Sequence, residues 1–282
     1  MKRILFPTDF SACSTNAFRY AREMAEYAKA EITVLHVYQM SESTGVQPSM
    51  AQMNVFEKKE ETWFNSLMEN FILQEVDQRV KDHSTQKTAP KTLVVGGPTV
   101  ETIVVLAEKY DLVIMGTHGS TELSNVFLGS ISSKVAEFIP IPLLLVPSSA
   151  KYKEIKTIVY ALSLMGKGDI SNIDKLIAFA RPLFTAIKCV HITEIGHSSL
   201  DELHALMLVK NKYEDYHKHF LLFKMMEGRN ILEGLKEYLV EVSADILAIG
   251  RKKKGYFEQV FGKHLTQSFF HHPLLPFIIL PN

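Results

Sequence analysis

The stretch Asp111-Leu-Val-Ile-Met-Gly116 recurs later in the chain as Asp245-Ile-Leu-Ala-Ile-Gly250. At the same offset of 134 residues, Pro142-Leu-Leu-Leu-Val-Pro147 recurs as Pro276-Phe-Ile-Ile-Leu-Pro281. Each stretch is a short apolar run closed by glycine or proline, a pattern typical of a buried β-strand. Two matches at one offset indicate that the 282-residue chain is a duplication of one unit.

Similar apolar runs precede these two in the first half of the chain. The five predicted strands cover residues 3–7, 32–38, 93–96, 112–116 and 143–146. Helical patterns separate them, with apolar residues such as Ala17, Ala21 and Met24 in the first helix and later helices at about 53–81, 98–110 and 130–138. Because apolar strands that alternate with helices build parallel sheets covered on both faces, the sequence predicts a doubly wound, Rossmann-like α/β fold.

The second half repeats the upstream strands as well. Ile4-Leu-Phe6 is echoed by Ile158-Val-Tyr160, and Leu35-His36-Val37 by Val190-His191-Ile192. We therefore expect two tandem five-stranded domains, 1–149 and 150–282, that divide in the polar stretch near 148–152. Because open apolar edge strands need covering, we also expect the two fifth strands to pair, which would make the chain an intrachain pseudo-dimer.

Composition excludes several classes of protein. Lys plus Arg and Asp plus Glu both number 31, a balance that argues against nucleic-acid binding. The cancellation hides an asymmetry, because residues 1–150 carry 13 basic and 17 acidic side chains and residues 151–282 carry 18 and 14. The two cysteines, Cys13 and Cys189, cannot form a disulfide framework, and no apolar run reaches the length of a membrane span. These features predict a soluble cytoplasmic protein.

One constellation points to anion binding. The fourth strand ends in Gly116-Thr-His-Gly119, and after nine more residues Gly129-Ser130 open a helix. Glycines let the backbone approach a phosphate, and the free amides of a helix N-terminus stabilise negative charge. The hydroxyls of Ser130 and Ser132 add donors there, while Asp9 ends the first strand at the same edge. Its carboxylate accepts hydrogen bonds, which suits an adenine amino group or ribose hydroxyls.

The spacing G-x2-G-x9-G-S, together with the turn Pro7-Thr-Asp-Phe-Ser11, resembles the universal stress protein family in its tandem two-domain form. The resemblance implies a fold similar to that of the adenine nucleotide α-hydrolases. It also implies ATP binding, with the phosphates as the place where Mg²⁺ would be held, and a role as a stress-response sensor or adaptor. The site residues that it implies are Thr8, Asp9 and Val37 at the base and ribose, and Gly116, His118, Gly119, Gly129, Ser130 and Ser132 at the phosphates. His118 either faces the phosphates or is an ordinary loop histidine.

The second half departs from this pattern. Lys253 stands where the first half has Gly119, Lys263 stands for Ser130, and Ser163 stands for Asp9. We therefore expect one nucleotide site per chain, in the first domain. The basic run 251–254 has two readings, an anion-binding patch or a solvated loop.

Three functions stay open at this point. The first is the nucleotide-binding sensor or adaptor, with a homodimer possible. The second is a weak ATP hydrolase, although the sequence offers no Walker lysine, nucleophile elbow or paired catalytic carboxylates. The third is an interaction protein that binds no nucleotide. No histidine cluster has the spacing of a helical zinc site, so no metal site is expected.

Overall fold

The computed structural model describes residues 1–39, 61–73, 89–117, 129–164, 168–196, 199–214, 220–251 and 275–281. We call residues 1–149 the first half of the chain and residues 150–282 the second half. The described elements of the first half are β1 (Arg3–Pro7), α1 (Ala12–Ala28), β2 (Glu31–Tyr38), α2 (residues 61–73), β3 (Lys91–Gly96), α3 (Thr99–Ala107), β4 (Leu112–Gly116), α4 (Ser130–Phe138) and β5 (Leu143–Val146). Those of the second half are β6 (Thr157–Ala161), α5 (Gly168–Ala180), a 3-10 turn (Arg181–Leu183), β7 (Ala186–Glu194), α6 (Leu200–Lys212), β8 (Leu221–Gly228), α7 (Ile231–Glu241), β9 (Ile246–Gly250) and β10 (Phe277–Leu280).

All ten strands lie in one sheet, in the order β3-β2-β1-β4-β5-β10-β9-β6-β7-β8. Counted from the outer edge of the sheet to the seam between β5 and β10, the five strands of each half therefore follow the same order. Neighbours within each half are parallel. At the seam β5 and β10 pair antiparallel, with Ile278 opposite Leu144. The doubly wound α/β class predicted from the sequence is confirmed, and the two five-stranded sheets are continuous with each other.

The aspartate that begins each copy of the repeated strand has the same structural role twice. Asp111 Oδ2 accepts hydrogen bonds from the backbone N–H groups of Lys2 and Arg3, at 2.6 and 2.9 Å. Asp245 Oδ2 accepts from the N–H groups of Lys156 and Thr157, at 2.8 and 2.9 Å. Each carboxylate therefore fastens the fourth strand of its half to the start of the first strand.

Side chains of successive strand residues enter cores on opposite faces of the sheet. Phe6 belongs to a core that includes Phe18 of α1, whereas Leu5 belongs to a second core with Ile103 of α3 and Val135 of α4. This alternation is what period-two side-chain geometry requires of a strand buried on both sides. It brings the N-termini of α3 and α4 to the face opposite α1.

Most predicted strands are confirmed, with small differences at the ends. The bounds predicted for β1, β4, α4 and β5 are those observed, whereas β3 begins two residues earlier than predicted, at Lys91. The helix predicted at 98–110 is shorter, Thr99–Ala107, since residues 108–111 form a turn. Of the helix predicted at 53–81, residues 61–73 are helical and the rest lie outside the described residues.

Two further points concern the chain as a whole. Residues 147–156, between β5 and β6, contain no helix or strand, and the domain division at 149 and 150 stays a prediction. No helix in the described part of the chain has both the length and the apolar character needed to cross a membrane.

Candidate functional site

A cleft of about 360 Å³ opens at the carboxyl edge of the first-half sheet, beside the neighbouring strands β1 and β4. Strand order reverses between these two strands, and such a switch point is where doubly wound sheets bind ligands. Seven of the nine residues that the sequence singles out line this first cleft: Thr8, Asp9, Val37, Gly116, Gly129, Ser130 and Ser132. The other two, His118 and Gly119, lie outside the described residues.

The turn after β1 forms one wall of the first cleft. The hydroxyl of Thr8 lies 2.8 Å from that of Ser14 and accepts a hydrogen bond from Phe10 N–H at 3.0 Å. Phe10 has a φ of 62°, an uncommon conformation for a residue with a side chain. Ser11 N–H donates to Asp9 Oδ1 at 3.1 Å. The hydroxyl of Thr8 thus shapes the turn, and the turn uses only one oxygen of the exposed Asp9 carboxylate.

His36 is a cleft residue that the site prediction missed. Its Nδ1 donates to the carbonyl of Thr8 at 2.9 Å, and its ring contacts those of Phe10 and Phe64, with centroids 4.6 and 4.5 Å away. Burial lowers the pKa of His36, although the bond to Thr8 and the charge of Asp9 oppose that shift. The sequence does contain a signal for His36, because the repeat places a histidine, His191, at the matching position of the second half.

Gly116 is needed for packing between a strand and a helix. A Cβ atom at this position would lie 3.0 Å from the sulfur of Cys13 and 3.2 Å from its carbonyl carbon. The first turn of α1 therefore approaches β4 so closely that a side chain at this position would need Cys13 to move by a few tenths of an ångström. Gly116 lines the first cleft, but its lack of a side chain is explained by this contact.

The N-terminus of α4 faces the first cleft without a side-chain cap. Gly129 is the N-cap residue and its N–H donates to Thr117 O at 2.7 Å. The first intrahelical bond is donated by Ser133 N–H to Gly129 O, at 3.0 Å. The three preceding N–H groups, at residues 130–132, therefore have no helical partner, and no side chain of Gly129 replaces one.

The two predicted serines of α4 differ in what they can offer a ligand. Ser132 is 4% exposed, and its hydroxyl donates to the carbonyl of Thr117 at 3.0 Å. Its proton is therefore used inside the protein. Ser130, at the first position of the helix, is exposed. Among the two hydroxyls, that of Ser130 is the one in position to donate to a ligand.

Helix α3 presents a second end without a side-chain cap. Its N-cap is Pro98, which forms no side-chain cap bond, and Thr99 and Ile103 line the first cleft. Glu101 in the first turn partly offsets the positive end of this helix. By contrast α1, on the other face, is capped by the hydroxyl of Ser11, which accepts from Ser14 N–H at 3.1 Å.

In the second half, buried polar side chains form a network between β6 and the first turns of α5. Asp169 of α5 accepts hydrogen bonds from the hydroxyl of Tyr160 at 2.7 Å and from the N–H of Leu164 at 2.9 Å. Asn172 donates to the same hydroxyl at 3.1 Å. A Cβ atom at Gly250, the counterpart of Gly116, would collide with the amide of Asn172. Burial and the charge of Asp169 raise the pKa of Tyr160.

Arg251 begins the basic run 251–254, whose other members lie outside the described residues. Its guanidinium donates to the carbonyl of Ile139, the C-cap of α4, at 2.7 Å. Burial lowers the pKa of Arg251, and the nearby charge of Glu137 opposes that shift. Arg251 therefore stabilises the C-terminal end of a first-half helix, a role that neither reading of the run included.

Comparisons with known proteins agree on one family. The sequence model of the universal stress protein family matches residues 1–147. Universal stress protein MJ0577 of Methanocaldococcus jannaschii is 29% identical over 161 residues, which cover 51% of this chain and 94% of that protein. Universal stress protein MJ0531 of the same organism is 30% identical over 152 residues, which cover 53% of this chain and 84% of that protein.

A solved structure extends the likeness to both halves. The crystal structure of a universal stress protein from Archaeoglobus fulgidus matches with a TM-score of 0.68 at 16% identity, over 99% of this chain and 98% of that one. At that identity the likeness concerns the fold. Since the family model matches more than half of the chain, the chain belongs to the universal stress protein family, in a tandem form.

Proposed function

We propose that the first cleft binds an adenine nucleotide, ATP foremost, and that the protein acts as a nucleotide-dependent sensor or adaptor in a stress response. The observation that carries the proposal is the end of α4, where three backbone N–H groups without helical partners border a cleft at the switch point of the sheet. A helix end of this kind binds phosphate through its amides and its dipole. The cleft volume lies within the range of small-molecule sites.

In this proposal the amides at residues 130–132 and the hydroxyl of Ser130 hold the phosphates. Asp9 accepts from ribose hydroxyls or the adenine amino group, and Val37 packs beside the base. No lysine or arginine is among the described residues that line the cleft, so the backbone carries the phosphate recognition. Mg²⁺ would be held through the phosphates, since the described residues contain no cluster of three metal-binding side chains.

The second half has a structural role in the proposal. Its Tyr160, Asp169 and Asn172 form a buried network beside Gly250, the counterpart of Gly116, and Leu162 and Ser163 replace the polar turn of the first half. We infer one nucleotide per chain and a pseudo-dimer held by the pairing of β5 with β10. We also infer a cytoplasmic protein, because the buried Cys13 and Cys189 form no disulfide, as suits a reducing compartment.

Equilibrium dialysis of the full chain tests this function. ATP, adenosine and inorganic tripolyphosphate are compared on the wild type and on Ser130→Asp, which places a carboxylate at the phosphate end. We expect ATP to bind more tightly than either part, and S130D to weaken ATP and tripolyphosphate but not adenosine. An interaction protein without nucleotide would bind none of them. Turnover of ATP above about 1 s⁻¹ would indicate an enzyme and contradict the sensor role.

A further inference from the structure

Helix α6 is apolar on its outer side as well as on the side that packs against the sheet. Its Leu206 and Val209 are buried in the same core as Leu221 of β8. Four large apolar side chains of the same helix are between 40 and 85% exposed, and we call them the α6 patch: Leu200, Leu203, Met207 and Leu208. A surface helix normally has polar residues on its outer side, and a helix that is apolar all round is normally buried.

A neighbouring helix shows that the α6 patch is not a general property of this face of the sheet. Helix α5 enters the same core through Ile173 and Leu176, and in the part of the chain that the structure describes it exposes no large apolar side chain. Both helices have 13 residues, so length does not explain the difference. Leu200, Leu203 and Met207 follow the spacing that aligns side chains along one side of a helix. The α6 patch is therefore a continuous apolar stripe.

The α6 patch lies at the outer end of the second half. Helix α6 packs on β8, and β8 is the last strand in the order of the sheet, at the end opposite the first half. A cleft of about 450 Å³ between α6 and β8 extends the patch, since Leu200, Leu203, Met225 and Met226 line it. Exposed apolar surface of this kind marks sites of protein interaction. A second molecule can therefore reach the patch without meeting the first half of the chain.

The two ends of α6 carry opposite charges. The first turn contains Asp201 and Glu202, and the last turn contains Lys210 and Lys212. Lys212 lies 3.2 Å from Asp174, but Asp201 and Lys210 are exposed and neither forms an ion pair with another described residue. If two copies of α6 pack antiparallel, Asp201 of each copy comes beside the basic last turn of the other. Parallel packing would bring like charges together, so the charges favour the antiparallel arrangement.

We propose that the α6 patch binds a second copy of this chain, in a two-fold symmetric dimer whose α6 helices pack antiparallel. Such an interface is self-complementary, because the same surface of both copies meets. It covers the apolar stripe of each copy and places opposite charges together at both ends. The contact is separate from the pairing of β5 with β10, which joins the two halves within one chain. It also does not rest on nucleotide binding in the first cleft.

Sedimentation velocity of the full chain over a range of concentrations tests the dimer. We expect the wild type to pass from one chain to two as its concentration rises, without added ATP. Met207→Glu places a charge in the apolar contact of both copies and should weaken the association by about tenfold or more. Val240→Glu makes a similar change at an 80% exposed position of α7. This control should dimerise like the wild type.

Charge reversal tests the antiparallel arrangement. Asp201→Lys places a lysine beside Lys210 of the other copy, and we expect it to weaken the association by about threefold to tenfold. Lys210→Asp should have a similar effect, whereas an equal mixture of the two variants should associate like the wild type because opposite charges meet again. The proposal is wrong if the wild type stays a single chain up to about 100 μM. It is equally wrong if M207E dimerises like the wild type, or if the mixture associates no better than D201K or K210D alone.

Discussion

The two halves of the chain keep the same turn after their first strand, although the residues differ. In the first half Thr8 N–H donates to Leu35 O at 2.8 Å, and in the second Leu162 N–H donates to Val190 O at 2.8 Å. The histidine that follows each acceptor, His36 or His191, donates to the carbonyl of that same turn residue. These contacts are made to the backbone, so they survive changes of side chain.

The halves differ in the side chains that surround this turn. Two residues after this turn residue the backbone is left-handed in both, with φ of 62° at Phe10 and 55° at Leu164. In the second half Asp169 accepts a hydrogen bond from the N–H of Leu164 and joins the buried network around Tyr160. In the first half the matching residue, 155 positions earlier, is Ser14, whose hydroxyl lies 2.8 Å from that of Thr8 and which lines the first cleft. The two halves therefore share the backbone contacts of this turn, whereas the side chains beside it differ.

The largest difference should appear when these two matched positions are truncated. Asp169→Ala leaves the Tyr160 hydroxyl and the Leu164 N–H without their acceptor, so we expect the free energy of unfolding to fall by about 3 kcal/mol or more. Ser14→Ala removes one hydroxyl pair and should cost about 1 kcal/mol. Urea unfolding of both variants measures this. Equal losses in the free energy of unfolding would show that the second-half network stabilises the protein no more than the single Ser14 contact does.

Arg251 joins the two halves and its removal should have the next largest effect. Arg251→Ala removes a charged donor from the carbonyl of Ile139, at the end of α4, and we expect a loss of about 2 kcal/mol. Arg251→Lys keeps the charge and should restore part of the stability. Thermal unfolding compares the variants with Lys151→Ala, a change at an exposed position between the halves. A stability of R251A equal to that of the control would contradict the bridging role.

Ser130→Asp separates binding from stability. An acidic residue in the first turn of a helix stabilises it by about 0.3–1 kcal/mol, yet here it should weaken ATP binding by about tenfold or more because it repels the phosphates. Leu200→Asp, at the first position of α6, is the matched change in the second half and should leave ATP binding unchanged. Calorimetric titration and thermal unfolding report the two quantities. A variant S130D that binds ATP as the wild type does would remove α4 from the site.

The smallest expected effect concerns the pKa of His36. The charge of Asp9 opposes the lowering caused by burial, so Asp9→Asn should lower the pKa of His36 further below its ordinary value of 6.5. A lowered histidine pKa means that protonation favours the unfolded chain. Its contribution to stability is present above pH 6.5 and is lost as pH falls through the folded pKa. NMR titration of the imidazole signals measures the shift, and an unchanged His36 in D9N would contradict this coupling.

Much of the fold could be predicted because the deciding signals are local and repeated. Apolar runs bounded by glycine and proline mark β4 and β9, and their repetition at one offset implies the duplication. The seven predicted residues that share the first cleft follow from a general rule, that the carboxyl ends of parallel strands meet at one edge. Strand ends such as that of β3 were less exact, since pairing and not composition sets them.

The internal use of polar groups could not be predicted in the same way. The sequence does not show that the Ser132 hydroxyl bonds to Thr117 O, or that Gly116 is small because Cys13 is near. The network of Asp169 depends on Tyr160, nine residues away on another element. Such contacts require the relative placement of helices and strands, which periodicity leaves undetermined.

Native mass spectrometry of the intact chain with ATP tests the central claim most directly, because it counts nucleotides per chain. We expect one nucleotide on the wild type, one on Leu200→Asp and none on Ser130→Asp under the same conditions. Two nucleotides on the wild type, or an undiminished signal from S130D, would contradict the claim that only the first half of this duplicated chain keeps an open nucleotide site.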